Sequence, residues 1–172
     1  MARPKRIETD VSNIPIGFEE HDHSLCVQTV LDVADKTCAQ AGLRLTAVRR
    51  KTLEILVQEH RALGAYEILE KLREEGFGSQ PPVAYRAIEF LVKNGFVHKV
   101  EKLNAFVACN KPRKPHAPTF MICRSCQLVV ETVSSEVSSM LSKSANKLGF
   151  RVEKSVVEIE GTCSSCLERF SA

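Results

Sequence analysis

Residues 81–109, PPVAYRAIEFLVKNGFVHKVEKLNAFVAC, carry two periodicities in succession. In the first half Ala87, Ile88, Leu91 and Val92 recur at helical spacing and form an inward stripe, leaving Tyr85, Arg86, Glu89 and Lys93 on the opposite face. Pro81 and Pro82 suit a helix start, because first-turn N–H groups have no intrahelical acceptor to lose, and Gly95 suits its end. The second half, FVHKVEKLNAFVAC, predicts two short strands around a tight turn. With Leu103 and Asn104 as the turn residues, His98 falls directly opposite Cys109, a register that a bulge would cancel.

Three further helical patterns lie upstream. Leu25, Val30, Val33 and Ala34 mark the first; Leu53, Ile55, Leu56 and Val57 follow Thr46 as N-cap; Ile68, Leu69 and Leu72 end before Gly76. A helical cluster followed by a hairpin is the outline of a winged helix-turn-helix, expected over 24–109 behind an aperiodic, flexible tail at 1–23. Downstream, NKPRKPHAP places prolines at 112, 115 and 118, which predicts a hinge over 110–118. Residues 119–172 change pattern: a strand through Phe120 to Ile122, a second near Leu128 to Val130, a helix around Val133 to Leu148 and a strand from Phe150 to Ile159. The expected class is α+β, a winged helix plus a small α/β unit, with no internal repeat.

Composition narrows the class only a little. Hydrophobic residues at 44% and charged residues at 26% suit a folded domain rather than a disordered or fibrous chain. The net charge of +3 is confined to residues 1–116, where 18 Lys and Arg face 15 Asp and Glu, while 117–172 carry 6 of each. That bias is compatible with phosphate binding and weak alone. Neither a signal-peptide core nor a membrane-length apolar run is present, so a cytoplasmic location without a membrane partner is expected. In a reducing compartment seven cysteines are not expected to be a disulfide set.

Cys123, Cys126, Cys163 and Cys166 form two Cys-x-x-Cys pairs. Each spacing lets one turn aim two sulfurs at one ion, and four thiolates at roughly 2.3 Å make a closed tetrahedral zinc site with no position for substrate, hence a structural one. A thioredoxin-like couple would need a surrounding βαβ pattern, which neither pair has. The ion would also support a unit too small to bury much surface. His98, Cys109, His116 and Glu131 offer a second set, two imidazoles, a thiolate and a carboxylate, drawn from wing, hinge and second unit. One ion held by them would fix the inter-domain angle; singly, such residues are more often solvated or packed in a core. The same holds for His21, His23 and His60, expected to be exposed, and for Cys26 and Cys38, expected to pack between helices.

The string PPVAYRAIEFLVKNGFVHKVE, followed by ICRSC and EGTCSSC, resembles the ferric/zinc uptake regulator family over roughly residues 25 to 168. The resemblance implies a dimeric, metal-activated repressor with an N-terminal winged helix for double-stranded DNA and a C-terminal dimerisation domain. By position, Cys123, Cys126, Cys163 and Cys166 match the family's structural zinc site, and His98, Cys109, His116 and Glu131 match the regulatory site of its zinc-sensing branch. Two zinc ions per subunit are thus implied, one structural and one regulatory. The iron- and peroxide-sensing branches usually carry a histidine-rich stretch where KPHAPTFMIC has only His116, and a strand histidine where Ser155 stands. An iron- or manganese-responsive regulator is the alternative, disfavoured by the thiolate ligand.

For DNA, Arg86 can donate two hydrogen bonds to a guanine edge and Tyr85 can touch a thymine methyl or a phosphate, with Tyr66, Arg44, Arg49 and Lys99 as further phosphate or groove contacts. Val83 and Ala84 stand where the family usually has threonine and valine, and Ala47 where it has proline, so one of the family's phosphate contacts is expected to be missing. Two-fold symmetry predicts a palindromic operator, AT-rich by family resemblance. The expected function is repression of zinc-uptake genes with zinc as corepressor. No catalysis is expected: a zinc hydrolase would need an open coordination position and a general base, a role for which Glu131 would have to leave the ligand set. A scaffold with purely structural zinc would bind DNA irrespective of metal.

Overall fold

The computed structural model describes residues 23–59, 61–78, 80–112 and 116–171, apart from the side chains of 23–26, 170 and 171. The tail expected over 1–23 lies outside the described residues but for the backbone of His23, as do His21, His60, hinge residues 113–115 and the side chains of His23 and Cys26.

Four helices come first: α1 (His23–Gln40), α2 (Ala47–Gln58), α3 (Ala65–Glu74) and α4 (Pro81–Lys93). Thr46 caps α2, its hydroxyl accepting the Arg49 N–H at 3.5 Å, and the Glu67 carboxylate caps α3 by accepting the Gly64 N–H at 2.8 Å. These helices bury Val30, Leu31, Ala34 and Cys38 of α1, Leu53, Ile55 and Leu56 of α2, Ile68 and Leu72 of α3, and Ala84, Ile88 and Leu91 of α4 in one core. Cys38 is thus a packing thiol. Val92 is exposed where the sequence placed it inward, because the buried face of α4 runs through Ala84, Ala87, Ile88 and Leu91 and the helical period carries position 92 off it. Gly95, at φ +71°, ends α4 in the left-handed region that favours glycine, and the Phe96 N–H then closes back on the Leu91 carbonyl at 2.9 Å.

The hairpin follows at once as β1 (Val97–Val100) and β2 (Ala105–Ala108), antiparallel. Its register differs from the expected one: His98 pairs with Val107, not Cys109. The turn spans Glu101 to Asn104, closed by the Asn104 N–H on the Glu101 carbonyl at 3.1 Å with Asn104 at φ +46°, so the loop is four residues long and pairing shifts by two. Side chains alternate with period two, so a two-residue shift keeps Cys109 on the His98 face as its diagonal neighbour.

The second unit holds β3 (Thr119–Cys123), β4 (Val129–Thr132), α5 (Ser135–Lys147), β5 (Val157–Gly161) and α6 (Ser164–Ser171). Its sheet is ordered β4-β3-β5, with β4 antiparallel and β5 parallel to the central β3. The strand expected from Phe150 begins only at Val157, since β3 offers five ladder positions and these take Val157 to Gly161. α6 was not expected. The helix α5 is capped by Ser134, whose hydroxyl accepts the Val137 N–H, yet it buries no residue.

The two units share a second core of Ala62, Val100, Ala105 and Val107 with Phe120, Ile122 and Val129. The segment before α3 crosses both: Leu63 bridges to Phe106 of the wing and Arg61 to Leu128 beside the first cysteine pair. Leu53 is completely buried in the helical core, so Leu53→Ala is expected to destabilise the protein by about 2–5 kcal/mol, measurable as a lowered denaturant midpoint at constant metal content.

Candidate metal centres

Parallel pairing of β3 with β5 sets Cys123 opposite Gly161, which brings the turn after each strand to the same end of the sheet. There the sulfurs of Cys123, Cys126, Cys163 and Cys166 all lie within 4.8 Å of one another. The Cys126 and Cys163 sulfurs are 3.7 Å apart, close to the edge of about 3.8 Å for a tetrahedron of sulfurs at about 2.3 Å from zinc. The Cys163 N–H points at the Cys123 sulfur at 3.4 Å, and together with the Cys126 and Ser125 N–H groups it holds that thiol down at about 6. Cys166 is pushed up to about 12, first by its hydrogen bond with the Cys163 sulfur and then by burial and the other sulfurs. Four sulfurs this close cannot all ionise without a cation among them. The donor set therefore fits a closed zinc site, with backbone N–H groups already turned toward one of its sulfurs.

The second group assembles from four separate places: His98 on β1, Cys109 just beyond β2, His116 before β3 and Glu131 on β4, their ligand atoms again within 4.8 Å of one another. Glu131 is its centre, a carboxylate only 7% exposed. One of its oxygens, Oε1, lies 2.7 Å from His116 Nε2 and 3.2 Å from His98 Nε2. His98 Nε2 is buried, and at that distance it lacks the alignment of a hydrogen bond; no other hydrogen-bond partner meets it among the described residues. The Cys109 sulfur is 3.7 Å from His116 Nε2. Burial and the Glu131 charge push the Cys109 thiol up to about 12, opposed by the Lys111 N–H. Burial pushes the Glu131 carboxyl upward too, but the His98 imidazole, the Asn110 N–H and His116 outweigh it and leave it below the usual carboxylate range. Two imidazoles, one with an orphaned buried nitrogen, a thiol and an ionised carboxylate within 4.8 Å of one another fit a four-coordinate zinc ion.

Asn110 went unnoticed in the sequence. Its N–H donates to Glu131 Oε2 at 2.8 Å and its side-chain amide donates to the Glu131 carbonyl at 2.8 Å, so the residue after Cys109 orients the carboxylate. A lone asparagine after a strand gives no local signal of that role.

The residues expected at DNA separate into two sets. Tyr85, Arg86, Tyr66 and Arg44 are exposed. Arg49 is half-buried, its guanidinium 3.7 Å above the Phe90 ring and donating to the Arg44 carbonyl at 2.7 Å, and Lys99 is paired with Glu101 at 2.6 Å. Ala84 is buried in the core, so that position of α4 packs inward.

The model of the Ferric uptake regulator family matches residues 40–160. The zinc uptake regulation protein of Escherichia coli (strain K12) is 38% identical over 142 residues, 82% of this chain and 83% of that protein. Among solved structures, a zinc uptake regulator complexed with zinc and DNA gives a TM-score of 0.81 at 37% identity, covering 85% of this chain and 98% of that one. Holo XcZur gives 0.74 at 36% identity, covering 86% and 99%.

Two outcomes follow from the geometry. Cys163→Ser is expected to lower tightly bound zinc by one equivalent per chain and to remove the cooperative melting of the C-terminal unit, read by elemental analysis and circular dichroism. Asn110→Ala is expected to weaken zinc at the second group by about 10- to 100-fold, read by chelator competition, with the four-sulfur group unchanged.

Proposed function

This chain belongs to the ferric uptake regulator family, and from that premise we propose that it is a zinc-responsive, DNA-binding transcriptional repressor of zinc-uptake genes, with zinc as corepressor. The observation that carries this reading is the convergence on Glu131 of His98 from the wing and His116 from the hinge. In this reading each subunit holds two zinc ions, a structural one on Cys123, Cys126, Cys163 and Cys166 and a regulatory one on His98, Cys109, His116 and Glu131. Bound there, zinc supplies metal–ligand bonds that join wing, hinge and sheet. A thiolate in the regulatory set favours zinc over manganese.

We assign residues 24–109 to DNA binding, 110–118 to the hinge and 119–172 to dimerisation. The outer face of α4, with Tyr85 and Arg86 exposed, enters the major groove, while Tyr66 and Arg44 reach phosphate or groove edges. Arg49 and Lys99 would have to leave or share their present partners to do so. Dimerisation is supported by α5, which buries nothing within the chain and leaves Met140 and Leu141 exposed, with Leu148 just beyond it 84% exposed. The outer row of the sheet likewise leaves Met121 and Ile159 exposed. A second copy covering it gives two-fold symmetry, hence two recognition helices and a palindromic, AT-rich operator.

Regulation is a population shift. Chains whose units are not docked separate the four ligands, so zinc at the second group favours the docked orientation, and a 100-fold gain in DNA affinity needs about 2.7 kcal/mol of differential zinc binding. The test is operator binding against buffered free zinc for wild type and Cys109→Ser, both shown to retain the four-cysteine zinc. Wild type is expected to gain affinity as zinc rises and the variant to stay weak. Equal binding at every zinc level would overturn the regulatory site.

A further inference from the structure

The C-terminal sheet turns one row of side chains toward the winged unit. Pairing sets Glu131 of β4, Phe120 of β3 and Glu158 of β5 side by side, and residues paired across a sheet share a face. Glu131 belongs to the hinge group, and Phe120 lies in the shared core with its ring 5.8 Å from that of His98. Glu158 takes part in neither. Its two oxygens accept the N–H groups of consecutive wing-turn residues, Glu101 at 2.7 Å and Lys102 at 2.9 Å, one oxygen each. Beside this contact the Lys102 ammonium lies 3.5 Å from Glu160. The N–H groups at a hairpin tip ordinarily face water. A carboxylate that takes two of them fixes the backbone of the turn itself, with the geometric specificity of a two-point, charge-assisted contact.

We propose that Glu158 is a positioning residue for DNA binding: an inter-domain latch that holds the wing turn against β5 and so favours the docked orientation in which His98, Cys109, His116 and Glu131 meet. The proposal rests on the zinc-responsive reading above. Latch and regulatory zinc favour the same orientation, so by linkage each strengthens the other. Removing the latch leaves every metal ligand in place but lowers the fraction of chains in which those ligands are assembled. More zinc is then needed to reach the same occupancy of DNA, while saturating zinc restores it. A merely structural role would lower the plateau of binding without moving the zinc midpoint.

The test uses the full-chain dimer with its four-cysteine zinc retained, as wild type, Glu158→Ala and Glu158→Gln. Operator binding is followed against buffered free zinc, and amide hydrogen exchange at Glu101 and Lys102 is followed without DNA. Glu158→Ala is expected to raise the zinc midpoint about tenfold with a near-wild-type plateau and faster exchange at both amides. Glu158→Gln should fall between, since its one carbonyl oxygen can still accept one N–H. An unmoved midpoint, a lowered plateau alone, or unchanged amide exchange overturns the proposal. Were wild type itself to bind no operator at any zinc level, the functional reading would fail, and the exchange comparison would still decide the latch: faster exchange in the alanine variant supports it and unchanged exchange overturns it.

Discussion

A carboxylate buried at the junction of two folding units has to be satisfied by both of them. Glu131 sits on β4 of the second unit, yet its oxygens are met by His98 of the wing and by Asn110 and His116 of the connecting segment. An isolated ionised carboxyl in such a place would cost several kcal/mol; burial pushes this one upward, and the His98 imidazole, the Asn110 N–H and His116 bring it below its ordinary value. Separating the units would remove His98 and draw the connecting segment taut, while leaving the charge on the sheet. The orientation of wing to sheet and the ionisation of Glu131 are therefore one problem, solved together.

The alternation of a β-strand allows a very small sheet to serve two surfaces. Along β3, Phe120 and Ile122 face the wing and join the shared core, while Met121 faces away beside Ile159 and is open to solvent. The wing-facing row carries the charged ends, Glu131 and Glu158, on either side of the Phe120 ring. The opposite row sets Val130, Met121 and Ile159 side by side as an apolar strip next to Thr119 and Thr132, with Met121 and Ile159 exposed. A one-residue slip of β3 would exchange these faces and place an aromatic ring in solvent and a methionine in the core.

What could be read from the sequence follows from how local each signal is. Two Cys-x-x-Cys turns are local, so the four-sulfur group was legible before any strand was placed, and the helices of the first unit were legible from their period and caps. The hairpin was legible as a hairpin but not in its register, because Asn104 can serve a two-residue or a four-residue turn equally well in sequence. The surroundings of His98 and Cys109 survived that error through the parity of strand side chains. Phe150 to Val156 alternate like a strand, and only the five-residue length of β3 denies them a partner. The role of Asn110 and the bond of Glu158 to the wing turn are contacts between segments distant in sequence, and no pattern within either segment encodes them.

The two cysteine-containing groups differ in what their assembly depends on. The four sulfurs come from the end of β3 and the turn after it, and from the residue before α6 and its first turn, with the Cys163 N–H already directed at the Cys123 sulfur, so their geometry is set within the second unit. His98, Cys109, His116 and Glu131 come from β1, the residue after β2, the segment before β3 and β4, so their geometry exists only when the winged unit is docked on the sheet. A site built within one rigid element can hold its ion through any motion of the domains. A site built across the domains has an affinity that varies with their orientation, and by reciprocity its ion must bias that orientation. On the proposed zinc-responsive reading, the same metal would be a fixed part of the fold at one position and a signal at the other.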